Sequence, residues 1–71
     1  MEGGKVTERQ GLILQFIRRY QKKHGYPPSV RDITSAVGLA SPSTTHVHLV
    51  ALRSQGRVSW EQGKMRTLRV L

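Results

Sequence analysis

Three histidines, one aspartate and three glutamates are a thin supply for metal or acid–base chemistry. His46 and His48 are two positions apart, and on a helix that spacing turns them about 200° away from each other, so they cannot share an ion. His24 stands where a cation suits a helix end. A Ser–His–Asp arrangement would need Asp32, the only aspartate, on a helix with no cleft signalled around it. With no cysteine there is neither a disulfide framework nor a thiolate zinc site. These residues predict no metal, no cofactor, no small-molecule substrate and no enzymatic activity.

Residues 43–54 support a different chemistry. Thr45, His48, Leu49 and Leu52 follow at i, i+3, i+4 and i+7 and form an inward face. The opposite side carries Ser43, Val47, Val50 and Ser54, with His46 on its flank. Hydroxyls and an imidazole can hydrogen-bond base edges, and a valine can meet a thymine methyl. A helix that reads DNA does so with its N-terminal residues, where Ser43, Thr44, His46 and Val47 fall. Taken alone, Ser43-Thr44-Thr45 also suits an ordinary polar first turn. Contact is favoured for Val47, and Val50 is left open.

The charge balance weighs toward the functional reading. Twelve Lys/Arg against four Asp/Glu give a net charge of +8 and a pI near 11.3, which calls for a polyanionic partner. The positives run from Lys5 to Arg69, so they are not confined to a basic tail. An anionic membrane could take the run Arg18-Arg19-Tyr20-Gln21-Lys22-Lys23, but the other face of that helix is needed for the core. The run is therefore read as a solvated helix end, and no membrane contact is expected. The longest apolar run, Leu49-Val50-Ala51-Leu52, falls far short of the roughly 20 residues that span a bilayer. Met1-Glu2-Gly3-Gly4 is polar and unlike an export signal, so a cytoplasmic domain is expected.

The elements that must position these residues are legible in turn. Residues 1–6 are expected to be a flexible tail and residues 7–71 one domain. Thr7-Glu8-Arg9-Gln10 is a capping box, followed by an apolar stripe of Leu12, Ile13, Phe16, Ile17 and Tyr20 that ends near Gly25. Tyr26-Pro27-Pro28 must be extended. Ser29 caps a short second helix with Val30, Ile33, Ala36 and Val37 inward and Gly38 as its stop. Ser41-Pro42 opens a third helix, a capping serine before proline at the first helical position, which runs to about Gln55. The period then changes. Val58 and Trp60, then Leu68 and Val70, alternate with polar residues around the turn Glu61-Gln62-Gly63-Lys64. Lys64 and Arg66 near the tip are placed for phosphates, and Trp60 reads as a core anchor rather than a stacking platform. The predicted class is α+β, mostly α: a winged helix-turn-helix of three helices followed by a two-stranded β-hairpin wing.

The segments Thr7-Glu8-Arg9-Gln10, Ile13, Ile17, Gly25-Tyr26-Pro27-Pro28-Ser29-Val30-Arg31-Asp32-Ile33 and Ala36-Val37-Gly38-Leu39-Ala40-Ser41-Pro42-Ser43-Thr44, with His46, His48-Leu49 and Leu52, resemble the N-terminal domain of LexA repressors. The resemblance covers about residues 5–71 and leans to the Gram-positive branch. It implies a winged-helix repressor of DNA-damage (SOS) genes, bound with a second copy of itself to a palindromic double-stranded operator. It places Ser41, Ser43, Thr44, His46 and Val47 on the base-reading stretch. Arg9, Ser29 and Arg31 fall on backbone-contacting positions, and Gly63-Lys64 on the wing tip. The sequence departs from that branch at Val47, where a glycine is familiar, and along Trp60-Glu61-Gln62-Gly63-Lys64-Met65. A GAAC-type half-site is implied. The family's self-cleaving peptidase domain, with its Ala-Gly site and Ser–Lys dyad, has no counterpart here, so self-cleavage is not expected.

Two other readings stay open on sequence. A winged helix could bind a protein, such as a host repressor or polymerase subunit, through Val47 and Val50 as interface anchors. It could also coat nucleic acid without sequence preference.

Overall fold

The computed structural model describes residues 6–71, apart from the side chain of Met65. Residues 1–5 of the expected tail lie outside the described residues, and Val6, its last residue, packs half-buried against the core. The order is α1 (Glu8–His24), α2 (Val30–Val37), α3 (Pro42–Ser54), β1 (Val58–Glu61) and β2 (Lys64–Val70). The protein is a winged helix-turn-helix, three helices and an antiparallel hairpin, as its punctuation predicts.

The helix starts are set by side chains that satisfy the first amide groups. At α1, the Thr7 hydroxyl accepts the Gln10 N–H and the Gln10 carboxamide accepts the Thr7 N–H, closing the capping box. Ser29 and Asp32 make the same reciprocal pair at α2. Ser41 caps α3 by accepting from the Thr44 N–H, with Pro42 in the first turn. Gly38 ends α2 at φ 74°, a left-handed conformation that lets the chain reverse within residues 38–41 before α3 begins.

All five elements feed one core: Ile13, Leu14 and Ile17 from α1, Ile33 from α2, Leu49 and Leu52 from α3, Val58 from β1 and Leu68 from β2. Burying each such side chain contributes roughly 1.5–3 kcal/mol relative to leaving it exposed. The hairpin pairs Val58 with Val70, Ser59 with Arg69 and Glu61 with Lys64, and its register shifts between Ser59 and Glu61. Gly63 takes φ 75° in the turn, as the wing requires.

Two details of the inward faces differ from expectation. Leu12 is 46% exposed, whereas Leu14 is buried. The helix contacts α2, α3 and β2, so its buried arc is rotated toward Leu14. Ala36 is exposed, and the neighbouring inward position of α2 belongs to the half-buried Thr34. Among the described residues, no helix is long and apolar enough to cross a membrane.

Candidate functional site

The buried face of α3 determines which residues it presents outward. Thr45, Leu49 and Leu52 are fully buried and His48 is half-buried. The Thr45 and Thr34 hydroxyls are 2.6 Å apart, and Thr34 donates to the Val30 carbonyl at 2.7 Å. The proton between the two hydroxyls is therefore the one on Thr45. From the other side, the buried Gln10 side chain uses its oxygen for the Thr7 N–H, so its NH2 group donates to His48 Nδ1 at 3.3 Å. His48 is thus a structural residue holding α3 to α1, with Nδ1 unprotonated in this contact.

With that face committed, Ser43, His46 and Val47 stand exposed on the other, Val47 at 67%. Ser41 and Thr44 are only half-exposed, and their hydroxyls lie 3.3 Å apart beneath the first turn. The five residues expected to read bases therefore fall into an outer set of three and an inner pair that also builds the helix start.

The residues expected to meet phosphates are distributed over the molecule. Arg9 donates one guanidinium N–H to the Val37 carbonyl at 2.8 Å, bracing the end of α2, and remains exposed. Arg31 lines a shallow cleft with Gly38, Leu39 and Pro42 beside the turn into α3. Ser29 and Arg66 share another cleft with Tyr20, Tyr26, Pro27, Pro28 and Asp32. Lys64, at the wing tip, pairs with Glu61 at 3.6 Å and lines a third cleft of about 390 Å³ with His46, Arg53, Trp60, Gln62 and Gly63. The structure thus brings His46 and Lys64 together and sets Arg66 elsewhere.

Trp60 has a double position. It packs partly against the core, as an anchor should, but its ring also faces the α3 side of the wing. The Arg53 guanidinium carbon lies 4.2 Å from its centroid and the His46 ring 6.2 Å away. Arg53 is not among the site residues that the sequence pattern singles out. The available signal was its spacing of seven from His46, which returns to the same helix face.

Asp32 carries the clearest electrostatic perturbation. The Ser29 backbone N–H, donating to it at 3.0 Å, holds the carboxyl below the usual range, and the Ser29 and Tyr20 hydroxyls and the His24 charge act in the same direction. The Tyr20 hydroxyl is pushed up, first by desolvation and then by Tyr26 and Asp32. No group of three or more His, Cys, Asp or Glu able to hold a metal ion occurs among the described residues.

Comparison with known proteins places this geometry. Residues 3–67 match the profile of the LexA DNA binding domain family. A LexA repressor of Geobacillus thermodenitrificans is 49% identical over 67 residues, covering 94% of this chain and 32% of the relative. One from Bacillus licheniformis is 48% identical over the same shares. One from Desulfatibacillum aliphaticivorans is 42% identical over 66 residues. The chain spans about a third of the length of these relatives.

Proposed function

Because the chain belongs to the LexA DNA-binding domain family, we propose that it binds double-stranded DNA sequence-specifically as a transcriptional repressor module, one palindromic half-site per chain. The observation that carries this reading is the acid-free, exposed first half of α3, with Ser43, His46 and Val47 outward and its inner face fixed by Thr45, Leu49 and Leu52. A helix so fixed can enter a major groove and present hydroxyl, imidazole and methyl groups to base edges. Arg9, Arg31 and Lys64 supply phosphate contacts around it, with Ser29 and Arg66 on the flank.

The finer reading is an operator of SOS genes with GAAC-type half-sites, occupied by two copies of the chain in the cytoplasm. Support for it comes from the resemblance of the α3 stretch and from the LexA repressors that the chain is similar to. Gel shifts on a palindrome and on a single half-site test the two-copy arrangement. The expected result is a two-chain complex on the palindrome with no stable one-chain intermediate. Independent filling of both half-sites would overturn cooperation between copies.

A second reading has one observation in its favour: Val47 and Val50 are 67% and 37% exposed on adjacent turns of α3. They could anchor a protein partner instead of meeting thymine methyls. Capture of a partner that survives nuclease and high salt, with no duplex preferred, would establish that reading over the first.

A further inference from the structure

We propose that the cleft between α3 and the wing seats a phosphodiester of the DNA backbone, with Arg53 as the contacting cation and Trp60 as the residue that positions it. This rests on the DNA-binding reading above. His46 and Arg53 are seven residues apart on α3, about two turns or ~10.5 Å along the axis. The Trp60 ring, on β1, has the Arg53 guanidinium 4.2 Å from its centroid and the His46 ring centroid 6.2 Å away. Lys64 and Gln62 stand on the wing side, with Gly63 at the turn. Arg53 therefore lies over the aromatic floor, with Lys64, paired to Glu61 at 3.6 Å, on the wing side, and no carboxylate is among the residues that line the cleft.

Arg53 is free to act. No hydrogen bond or ion pair takes its guanidinium among the described residues, and its side chain is exposed. A guanidinium stacked on an aromatic face keeps its N–H edge available, and stacking reduces the freedom that a loose arginine would lose on gripping an oxyanion. Trp60 is itself held by the core that it partly joins, so the fold transmits its own rigidity to the Arg53 head group.

The cleft walls identify the anion. One wall is the helix that presents its first half to base edges, and the other is the hairpin beside it. A helix seated in a major groove with a hairpin alongside must straddle the sugar–phosphate strand that borders that groove. The cleft volume of about 390 Å³ leaves room for a phosphodiester with its flanking sugars. The contact is to backbone, so it adds affinity on any sequence and leaves discrimination to α3.

The test compares wild-type chain with Arg53→Gln, Trp60→Leu, Trp60→Phe and the Arg53→Gln/Trp60→Leu double variant, by anisotropy on a preferred and a scrambled duplex across a salt series. Arg53→Gln is expected to weaken binding about five- to thirtyfold on both duplexes and to flatten the log–log salt slope by about 0.9 per bound chain. Trp60→Leu retains the charge and is expected to lose part of the same affinity, about three- to tenfold, with Trp60→Phe recovering most of it. In the Arg53→Gln background, Trp60→Leu should change affinity by less than about twofold, because the two residues act as one unit. Trp60 is the only tryptophan, so its emission in the wild type should change on duplex binding. Circular dichroism melts establish that each variant is folded, and Arg53→Gln, on the surface, carries the test if Trp60→Leu does not fold. Specific binding by wild type with unchanged affinity and slope in Arg53→Gln would overturn this proposal alone. Additive losses from Arg53→Gln and Trp60→Leu would overturn the positioning role. Wild type that binds no duplex would overturn the DNA-binding reading and this proposal with it.

Discussion

The Thr45 hydroxyl donates to the Thr34 hydroxyl at 2.6 Å, and Thr34 in turn donates its own hydrogen bond to the Val30 carbonyl at 2.7 Å. This short relay is the polar joint between the two helices of the helix-turn-helix. It lies at the fully buried Thr45, one residue before His46. The joint fixes the rotation of α3 about its axis, and that rotation decides which side chains can reach a base.

The relay is directional, so its two ends should not be equivalent. Thr45→Val removes the donor but leaves Thr34 bonded to Val30, at a cost of about 1 kcal/mol. Thr34→Val leaves the buried Thr45 hydroxyl with only the Ser41 carbonyl at 3.5 Å, which should cost about 2 kcal/mol. Urea titrations of both variants and of the double variant measure this. The double variant should cost less than the sum of the singles, and equal, additive losses would show that no relay exists.

Asp32 gives the fold a pH dependence of known sign. Its folded carboxyl is held below the usual range, chiefly by the Ser29 backbone N–H. Its contribution is therefore complete above the unfolded value and is lost as pH falls through the folded one. Asp32→Asn keeps an acceptor for Ser29 but cannot titrate. The urea midpoint of this variant should change less than that of wild type between about pH 5 and about pH 2. Parallel curves would remove Asp32 from the account of acid stability.

On the proposed phosphate contact of Lys64, Glu61 would compete with DNA for this side chain. Both side chains are about 70% exposed (68% and 70%), so their ion pair adds little to stability. Glu61→Gln should leave the urea midpoint almost unchanged and tighten duplex binding about threefold at low salt. Glu2→Gln, which changes net charge equally, serves as the comparison. Equal tightening in both variants would mean that Lys64 has no particular role.

His46 should specify sequence rather than supply bulk affinity. His46→Ala is expected to lose about 1–3 kcal/mol on the preferred duplex and little on random DNA. Equal loss on both would reassign His46 to backbone contact alongside Lys64.

The legible parts of this protein were those set by local chemistry. Thr7, Ser29 and Ser41 cap their helices, Gly38 and Gly63 take the left-handed turns, and Thr45, Leu49 and Leu52 turn inward. Local pattern could not separate Leu12 from Leu14, because three consecutive apolar residues fit two rotations of α1 equally and tertiary contacts chose one. Nor could it show Arg53 over Trp60, a contact between two elements that depends on the angle of the hairpin against α3. The same limit applies to Lys64 and Arg66. They are two residues, or about 6.6 Å, apart on β2, yet they line different clefts because the strand passes from the wing tip toward the α1–α2 junction.

The central claim is that this chain distinguishes one duplex from another. The most direct test is fluorescence anisotropy with a GAAC-type palindrome and a scrambled duplex of the same length, each at two salt concentrations. The predicted result is a preference of a hundredfold or more for the palindrome. On both duplexes affinity should fall with salt, with a log–log slope on the scrambled control near −4 to −5 for about five neutralised phosphates. Equal, salt-sensitive binding to both would contradict the claim and leave a basic winged helix without sequence specificity.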